Sequence, residues 1–349
     1  MNTLVTNAAD FDHLGSLLDD GLLLVDGESS EILRANPAAV RFLGENLIGF
    51  QANTVLTASN ITQEVRSCFN GDRPMEFVTG VSHDRFRQFR VRLKLMPEGR
   101  VAVLLMDMTL QHNLEKVRRD FVANVSHELR SPLTSLVGFI ETMQASRELD
   151  NATRQRFLSI MDEEARRMSR LIDDLMSLSR VETEEHIAPT DTIYIKSVVQ
   201  SVIASMSNRA AMENQAILFK DNRADADDAA VILGETDEIM EVFHNLLDNA
   251  LKYSAPDTDI RVHLFSHDPD HLRFDVINKG EGIPEKHIAR LTERFYRVDK
   301  GRSRKMGGTG LGLAIVKHIV NRHRGRLSIK SELKGETVFS VVLPLSAMS

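Results

Sequence analysis

The sequence has little of several features that mark whole classes of protein. Its single cysteine, Cys68, excludes an intramolecular disulfide and any zinc site built from several cysteines. Lysine and arginine total 43 against 50 aspartate and glutamate residues, so the net charge is -7 and no basic excess is present over the whole chain. We therefore expect no direct DNA binding.

Long apolar runs are also missing. No stretch approaches the roughly 18 uninterrupted apolar residues of a membrane-spanning helix, and the opening MNTLVTNAADFDH lacks the basic and apolar blocks of a signal peptide. We expect a cytoplasmic chain, either the soluble part or a soluble relative of a membrane-anchored sensor. Its 349 residues and 42% apolar content predict two or three globular domains.

The stretch 120–134, DFVANVSHELRSPLT, contains a histidine that no structural pattern requires. An apolar stripe at four-residue spacing predicts an amphipathic helix and consists of Phe121, Val125, Leu129 and Leu133. His127 lies off this stripe, so its imidazole is predicted to face solvent. A neutral imidazole is nucleophilic through one ring nitrogen when the other carries the proton, and Glu128 could fix that tautomer and accept the proton.

Two further residues follow His127 on the same helix. Ser131 comes four residues later and shares its face. Pro132 removes a backbone donor, which predicts a bend beside the histidine. A lone histidine on an exposed helix is usually incidental, and only the C-terminal third of the chain favours a functional reading.

The pattern predicts three domains, a multidomain α+β fold. Residues 14–112 read as an antiparallel sheet with one helical layer, ending in a hairpin, and this order resembles a PAS sensor domain. The resemblance implies an unknown ligand or signal for this domain. No cysteine-adduct flavin motif surrounds Cys68, which we predict to be a small, buried or half-buried apolar side chain.

Residues 113–182 predict two long helices joined by a short polar turn, an antiparallel hairpin. A hairpin alone leaves one apolar face uncovered. A second copy would cover it in a four-helix bundle, so we expect a homodimer. The alternative is that other domains of the same chain cover the face. After a charged linker, residues 187–347 predict an α/β sandwich.

Four clusters in the last domain indicate a nucleotide site. On one helix, Asn245, Asn249 and Lys252 share a face. Amide oxygens suit Mg²⁺, Lys252 suits phosphate, and Tyr253 offers a flat surface to a base. The other clusters are NKGEGIP at 278–284, GGTGLGL at 307–313 before a helix, and the basic, aromatic segment ERFYRVDKGRSRKM between them.

Together with SHELRSPL, these clusters resemble the H, N, G1, F and G2 boxes of sensor histidine kinases over about residues 110–345. FVANVSHELRSPLTSLVGFIETM and LTERFYRVD resemble the PhoR-type, phosphate-regulon branch. The resemblance implies a histidine-phosphotransfer hairpin joined to a GHKL-type ATPase domain. It also implies ATP and Mg²⁺ as cofactors, and phosphotransfer from His127 to an aspartate of a response-regulator receiver domain.

The resemblance also implies roles for individual residues. His127 matches the phosphoacceptor, Glu128 its acid/base neighbour, and Asn249 the Mg²⁺ ligand. Arg294 and Arg297 match cations that stabilise the transferring phosphoryl group, and residues 298–308 match a mobile lid over ATP. The remaining matches to the nucleotide site are Asn245, Lys252, Tyr253, Asn278, Gly280, Gly282, Ile283, Phe295, Gly308, Thr309, Gly310, Leu311 and Gly312.

Two positions depart from the family pattern. Asn278 stands where the family has an Asp that accepts a hydrogen bond from the adenine amino group. An amide loses the charge-assisted contact and gains a donor, so we expect weaker adenine binding and relaxed base choice unless neighbouring contacts compensate. Ser131 replaces the usual Thr or Asn, whose side chain orients water in members that dephosphorylate their partner. It retains a hydroxyl, which leaves phosphatase activity open.

Two other functions account for part of this sequence. One is a signalling scaffold or phosphatase that binds a response regulator through the hairpin and whose nucleotide domain is impaired by Asn278. The retained Asn249, Lys252 and glycines argue against full decay of that domain. The other is a free-standing GHKL ATPase, which leaves His127 and Glu128 unexplained. Transfer to His127 in cis and in trans are both compatible with the resemblance.

Overall fold

A computed structural model describes residues 11, 13, 15–56, 61–71, 76–80, 87–145, 149–223, 230–299 and 308–346. The chain divides into two compact units, residues 1–123 and 124–349. The architecture is the mixed, multidomain one that the sequence predicts, with a helical hairpin and an α/β domain in the second unit. In the described ranges, none of the helices combines the length and apolar composition that crossing a membrane requires.

The N-terminal unit is a five-stranded antiparallel sheet with short helices. Its elements before the long helix are β1 (Gly21–Asp26), β2 (Ile32–Ala35), α1 (Pro37–Leu43), α2 (Ala52–Val55), α3 (Ile61–Phe69), β3 (Glu76–Gly80), β4 (Gln88–Met96) and β5 (Arg100–Asp107). The strand order is β2-β1-β5-β4-β3. The predicted terminal hairpin is confirmed, because β4 pairs with β5 in antiparallel register around the turn Pro97–Gly99.

Alternating burial along β1 and β5 places every second side chain in one core. The helix α3 buries one of its faces, and the side chains on that face include Cys68, which is 2% exposed. Cys68 is therefore a core side chain, as predicted, and burial raises the pKa of its thiol. A thiol kept protonated in an apolar core is poorly reactive.

Two long helices, α4 (Thr109–Ala145) and α5 (Asn151–Glu184), form the predicted hairpin. Asp150 caps α5, because its carboxylate accepts a hydrogen bond from the Thr153 backbone N–H at 2.8 Å. The helix α4 continues through Pro132, whose side chain is buried. The rings of Phe139 and Phe157 pack 5.1 Å apart across the hairpin.

The C-terminal α/β domain carries a second five-stranded sheet. Its elements are β6 (Thr192–Tyr194), α6 (Ile195–Met212), β7 (Ile217–Asp221), β8 (Val231–Leu233), α7 (Thr236–Tyr253), β9 (Ile260–Asp268), β10 (His271–Lys279), α8 (Glu285–Ile288), α9 (Gly312–Arg322), β11 (Arg326–Ser331) and β12 (Glu336–Pro344). The strand order is β11-β12-β10-β9-β7, with only β7 and β9 parallel among these pairs. The strands β6 and β8 form a separate pair.

The core of this domain lies between the sheet and its helices. Phe243 on α7 and Phe274 on β10 are fully buried, with ring centroids 4.3 Å apart. The apolar face of α7 packs on the sheet, and therefore the opposite side of the helix is left for polar residues. This arrangement fixes the orientation of the asparagine face discussed below.

A charged cluster with a buried centre, Arg322 and Glu238, joins α5, α7 and α9. Arg322 lies beside the fully buried Glu238 and donates to Glu235 Oε2 at 3.0 Å, and its Nη2 is 3.1 Å from Glu184 Oε2. His323 donates from Nδ1 to the Ile319 carbonyl at 2.8 Å and accepts the Glu235 N–H at Nε2. These two bonds fix one neutral tautomer, and burial lowers the pKa of His323.

Replacing Arg322 by Met is expected to lower the free energy of unfolding by about 3 kcal/mol, because Glu238 is left as a buried carboxyl without its cation. Burial already raises the pKa of Glu238. A carboxyl whose pKa is raised in the folded state contributes to stability at low pH, and this contribution falls as the pH rises. The destabilisation caused by Arg322→Met should therefore be larger at pH 7 than at pH 5. Urea denaturation at both pH values measures it.

The matched control is Arg326→Met, which removes an exposed arginine from β11 and should change stability little. Adding Glu238→Gln to Arg322→Met should recover part of the loss, since the neutral amide costs less to bury. Equal stability of Arg322→Met and Arg326→Met would contradict this account.

Candidate active site

A cavity of about 530 Å³ lies in the second unit, where α7, the segment after β10 and the segment before α9 meet. It brings together residues that the sequence predicts for a nucleotide site, and its lining includes Asn245, Asn249, Lys252, Tyr253, Asn278, Gly282, Ile283, Arg297, Gly308, Thr309, Gly310 and Gly312. The four predicted clusters therefore converge in space. A single concave site lined by amides, cations and glycines is suited to a phosphorylated ligand.

The polar face of α7 forms one wall of this cavity. Lys252 Nζ lies 2.6 Å from one carboxylate oxygen of Asp248, and Arg209 on α6 lies 2.6 Å from the other. Asp248 thus holds two cations at the cavity wall. Sequence reasoning missed Asp248, although its spacing of four residues before Lys252 is a signal for such an ion pair.

The first turn of α9 approaches α7 closely at Gly312. A Cβ atom at this position would lie 2.3 Å from Asn245 Oδ1, which no real contact permits. Asn245 itself donates from Nδ2 to the Glu241 carbonyl at 3.1 Å. Gly312 therefore allows the start of α9 to lie against the asparagine face, where its backbone amides can meet an anion.

The two glycine segments contact different neighbours. Gly280 donates its N–H to the Gly335 carbonyl at 3.0 Å, and the carbonyl of Gly310 accepts from the Phe295 N–H at 2.8 Å. Phe295 has a φ of 62°, the left-handed region. The predicted Phe295 segment is thus held against the second glycine segment, although Phe295, Gly280 and Leu311 are not among the residues lining the cavity.

The floor of the cavity includes two buried polar side chains on adjacent strands. Asn278 on β10 pairs in register with Thr337 on β12, and each is 4% exposed. The Thr337 and Ser331 hydroxyls are 2.6 Å apart, and Ser331 Oγ accepts the Ile283 N–H at 2.9 Å. Asn278 therefore presents a buried amide to the cavity, and polar contacts to a ligand are strengthened where water is excluded.

The two predicted arginines lie in different places. Arg297 lines the cavity, donates to the Gly308 carbonyl and lies 3.5 Å from Glu128 Oε2. Arg294 instead pairs with Glu182 on α5 at 2.5 Å and is not among the lining residues. The structure thus supplies one of the two predicted cations to the cavity. Residues 300–307 of the predicted lid lie outside the described residues.

His127 is exposed on α4, as predicted, and so is Ser131 one turn later. Neither residue lines the cavity. Glu128 points to other partners: its Oε2 accepts from Arg167 Nη2 at 3.1 Å and lies 3.5 Å from Arg297. Consecutive residues of a helix do not face each other. In this conformation Glu128 is therefore engaged by two arginines, a contact that the sequence did not predict.

Two acidic side chains missed by the sequence analysis also line the cavity. Asp174 on α5 accepts from the Thr309 hydroxyl at 2.6 Å, and Glu241 on α7 accepts from the Ser177 hydroxyl at 2.7 Å. Burial raises the pKa of both carboxyls, and the hydroxyl partners act in the opposite direction. No periodicity marked Asp174, because it lies on a hairpin helix far from the glycine segment in sequence.

Comparison with known proteins agrees with this geometry. Residues 117–184 match the His Kinase A (phospho-acceptor) domain, and residues 234–347 match the histidine kinase-, DNA gyrase B- and HSP90-like ATPase family. The phosphate regulon sensor protein PhoR of Pseudomonas aeruginosa is 38% identical over 74% of this chain and 56% of its own length. The sensor protein kinase WalK of Staphylococcus aureus is 34% identical over 94% of this chain and 79% of its own length.

A phospho-acceptor hairpin followed by an ATPase-type domain defines the histidine kinase architecture. The solved histidine kinase ThkA, in complex with the response regulator protein TrrA, shares this fold with a TM-score of 0.53 and 20% identity, over 96% of this chain and 98% of its own. The chain belongs to the sensor histidine kinases and is PhoR-like, as the sequence predicted. It spans about half the length of several curated relatives, including 54% of WalK from strain MRSA252.

Proposed function

We propose that this chain is an ATP-dependent protein-histidine kinase that phosphorylates His127 and passes the phosphoryl group to a response-regulator aspartate. One observation carries the proposal. An exposed histidine on a phospho-acceptor helix belongs to the same compact unit as a cavity lined by Asn249, Lys252 and the glycine segment before α9. A nucleophile and a phosphate-binding site are the two parts that phosphoryl transfer needs.

The residues present have distinct tasks in this reaction. A ring nitrogen of His127 attacks the γ-phosphorus of ATP, the bond to the β-phosphate oxygen breaks, and ADP leaves. Glu128 accepts the imidazole proton, while Lys252 and Arg297 stabilise charge on the phosphates. Because His127 is not on the cavity lining, the transfer needs movement of the α/β domain relative to this hairpin, or the hairpin of a second copy.

Asn249, assisted by Asn245, would hold Mg²⁺. Both amides line the cavity, and amide oxygens together with phosphate oxygens make the hard-ligand set that Mg²⁺ prefers. The ion would neutralise phosphate charge. Within the described ranges no cluster of three His, Cys, Asp or Glu side chains could hold a metal by itself.

The direct test is incubation with γ-labelled ATP and Mg²⁺. Label on the protein that survives alkali and is lost in acid identifies a phosphoramidate on histidine. Measurable nucleotide binding without any label would instead support the scaffold or phosphatase function. The retained Ser131 hydroxyl leaves dephosphorylation of the partner regulator as a second activity, measured by adding phosphorylated regulator.

The surface of the hairpin supports association with other protein chains. Large apolar side chains remain exposed on both helices, among them Leu133 at 52%, Ile172 at 48% and Met176 at 68%. Contiguous exposed apolar surface favours association. We therefore propose a homodimer through this face, in a four-helix bundle, with a receiver domain docking on the hairpin. The solved complex of ThkA with a response regulator supports that partner class.

The N-terminal unit is proposed to be a PAS-like sensor domain. Its antiparallel order β2-β1-β5-β4-β3 with helices between β2 and β3 supports this assignment. The unit leads directly into α4, which carries His127. A shift in the position or bend of that helix could transmit a signal to the phosphoacceptor, because helix shifts are a common form of switching.

Asn278→Asp is expected to strengthen ATP binding about fivefold and leave GTP binding unchanged or weaker, because a charge-assisted hydrogen bond exceeds a neutral one by about 1 kcal/mol. Asn278 lines the cavity and is 4% exposed, so either variant side chain would meet the ligand directly. Titration with both nucleotides gives the ratio of dissociation constants.

Asn278→Ala serves as the control, because it removes donor and acceptor together and should weaken both nucleotides. The base-choice hypothesis would be wrong if the ATP-to-GTP preference of Asn278→Asp equalled that of the natural sequence. In that case neighbouring contacts set the preference.

A further inference from the structure

Two carboxylates of the hairpin lie close to hydrogen-bond donors of residues that line the cavity. Asp174 Oδ2 accepts from the Thr309 hydroxyl at 2.6 Å, and Glu128 Oε2 lies 3.5 Å from Arg297 Nη2. Thr309 and Arg297 both line the cavity, and so does Asp174. Thus α4 and α5 each place an anion on a donor of the candidate nucleotide site.

These donors are of the kind that bind phosphate. Thr309 lies just before α9, where backbone amides and the helix dipole favour an anion, and a guanidinium such as that of Arg297 pairs equally with carboxylate and phosphate. A carboxylate oxygen has the same charge sign and acceptor character as a phosphate oxygen. The two hairpin carboxylates therefore match the chemistry of the ligand expected at these donors.

We propose that Asp174, together with Glu128, takes the place of phosphate oxygens in this conformation, so that docking of the hairpin and binding of a nucleoside triphosphate compete. The inference rests on the proposed function, because it takes the cavity as a nucleotide site. Asp174 acts through Thr309 and is a positioning residue. It sets the affinity of the site for phosphates rather than for the base.

The surroundings of Asp174 strengthen the competition. Glu241 lines the same cavity and is bonded to Ser177, three residues after Asp174 on α5. A triphosphate entering beside Asp174 and Glu241 would meet negative charge until α5 withdraws. Withdrawal also separates Glu128 from Arg297, while Arg167 of the hairpin still pairs with it. Nucleotide binding would thereby remove one of the two arginines from the carboxylate next to His127, which couples occupation of the site to the phosphoacceptor.

The test compares Asp174→Asn with the matched control Asp173→Asn in the full chain. Asp173 is the exposed neighbour on the same helix, so both variants remove one negative charge. Each form is titrated with a non-hydrolysable ATP analogue in the presence of Mg²⁺ and, separately, with adenosine. Asp174→Asn should bind the analogue about five- to tenfold tighter, a modest coupling between a ligand and a conformational equilibrium. Asp173→Asn should match the natural sequence, and adenosine should bind all three equally.

Asp174→Ala provides a second variant, which also removes the acceptor for Thr309 and should bind the analogue at least as tightly as Asp174→Asn. Unfolding midpoints establish that each variant is folded. Weaker or unchanged binding of the analogue by both Asp174 variants would overturn the inference and leave nucleotide binding intact. A parallel gain for adenosine would also overturn it. Failure of every form to bind any nucleotide would overturn the proposed function itself.

Discussion

Replacing His127 by Gln will abolish labelling of the chain by γ-labelled ATP, while nucleotide binding stays unchanged. Glutamine keeps a polar side chain of similar length but has no nucleophilic nitrogen, so the covalent step is lost. Removing a nucleophile typically costs roughly a thousandfold or more in rate. Since His127 is exposed and does not line the cavity, its replacement leaves the walls of the nucleotide site in place. Quantified label per chain and a nucleotide titration measure the two effects.

The matched control is His112→Gln, which changes an exposed histidine on the same helix. This variant should label as the natural sequence does. Persistent acid-labile label in His127→Gln would place the phosphoryl group on another residue. Absence of label from the natural sequence, with nucleotide bound, would favour the scaffold or phosphatase function and direct attention to Asn278.

Replacing Gly282 by Ala will have the largest structural effect expected at the cavity. Gly282 has a φ of 74°, and an added Cβ would lie 2.1 Å from the Glu332 carbonyl oxygen and 2.8 Å from the Leu333 Cα. Both neighbours are backbone atoms, so the turn itself must move. We expect a loss of about 3 kcal/mol in the free energy of unfolding, from strained φ and the clash together.

The nucleotide affinity of Gly282→Ala should also fall, by more than about tenfold. Gly282 and the adjacent Ile283 line the cavity, and a shift of roughly 1 Å there disturbs ligand contacts. Urea denaturation and titration with the ATP analogue are the measurements. Gly138→Ala is the matched control. Its Cβ would have no atom within 4 Å, and it lies inside α4, so alanine should raise stability by up to about 1 kcal/mol. Equal stability of both variants would contradict the prediction.

The secondary structure followed closely from local patterns. The two long helices predicted within residues 113–182 appear as α4 and α5, and the hairpin predicted to end the first domain appears as β4 and β5. Strong periodicity gives such agreement, because it reflects which face of an element packs. Boundaries were less certain: α5 extends to Glu184, into the segment predicted as a linker.

The sequence predicted which residues the candidate site contains, but only partly how they are arranged. Asn245, Asn249 and Lys252 share a wall of the cavity, as their helical spacing required. Arg294 could not be separated from Arg297 in this way, because both lie in a segment without regular periodicity. In the structure, Arg294 pairs with Glu182, whereas Arg297 lines the cavity. Side-chain direction in such a segment depends on which neighbours it meets.

By itself, the sequence determined which side chains are candidates for the chemistry: an off-stripe histidine, an asparagine face and two glycine segments. These are local properties of spacing and side-chain type, which one stretch of chain can specify. Only the tertiary structure decided that Asp174 meets Thr309 and that Glu128 meets Arg297, pairs separated by 135 and 169 positions. Such contacts depend on how packed elements are brought together, because burial rather than local pattern selects the partner of a distant polar group.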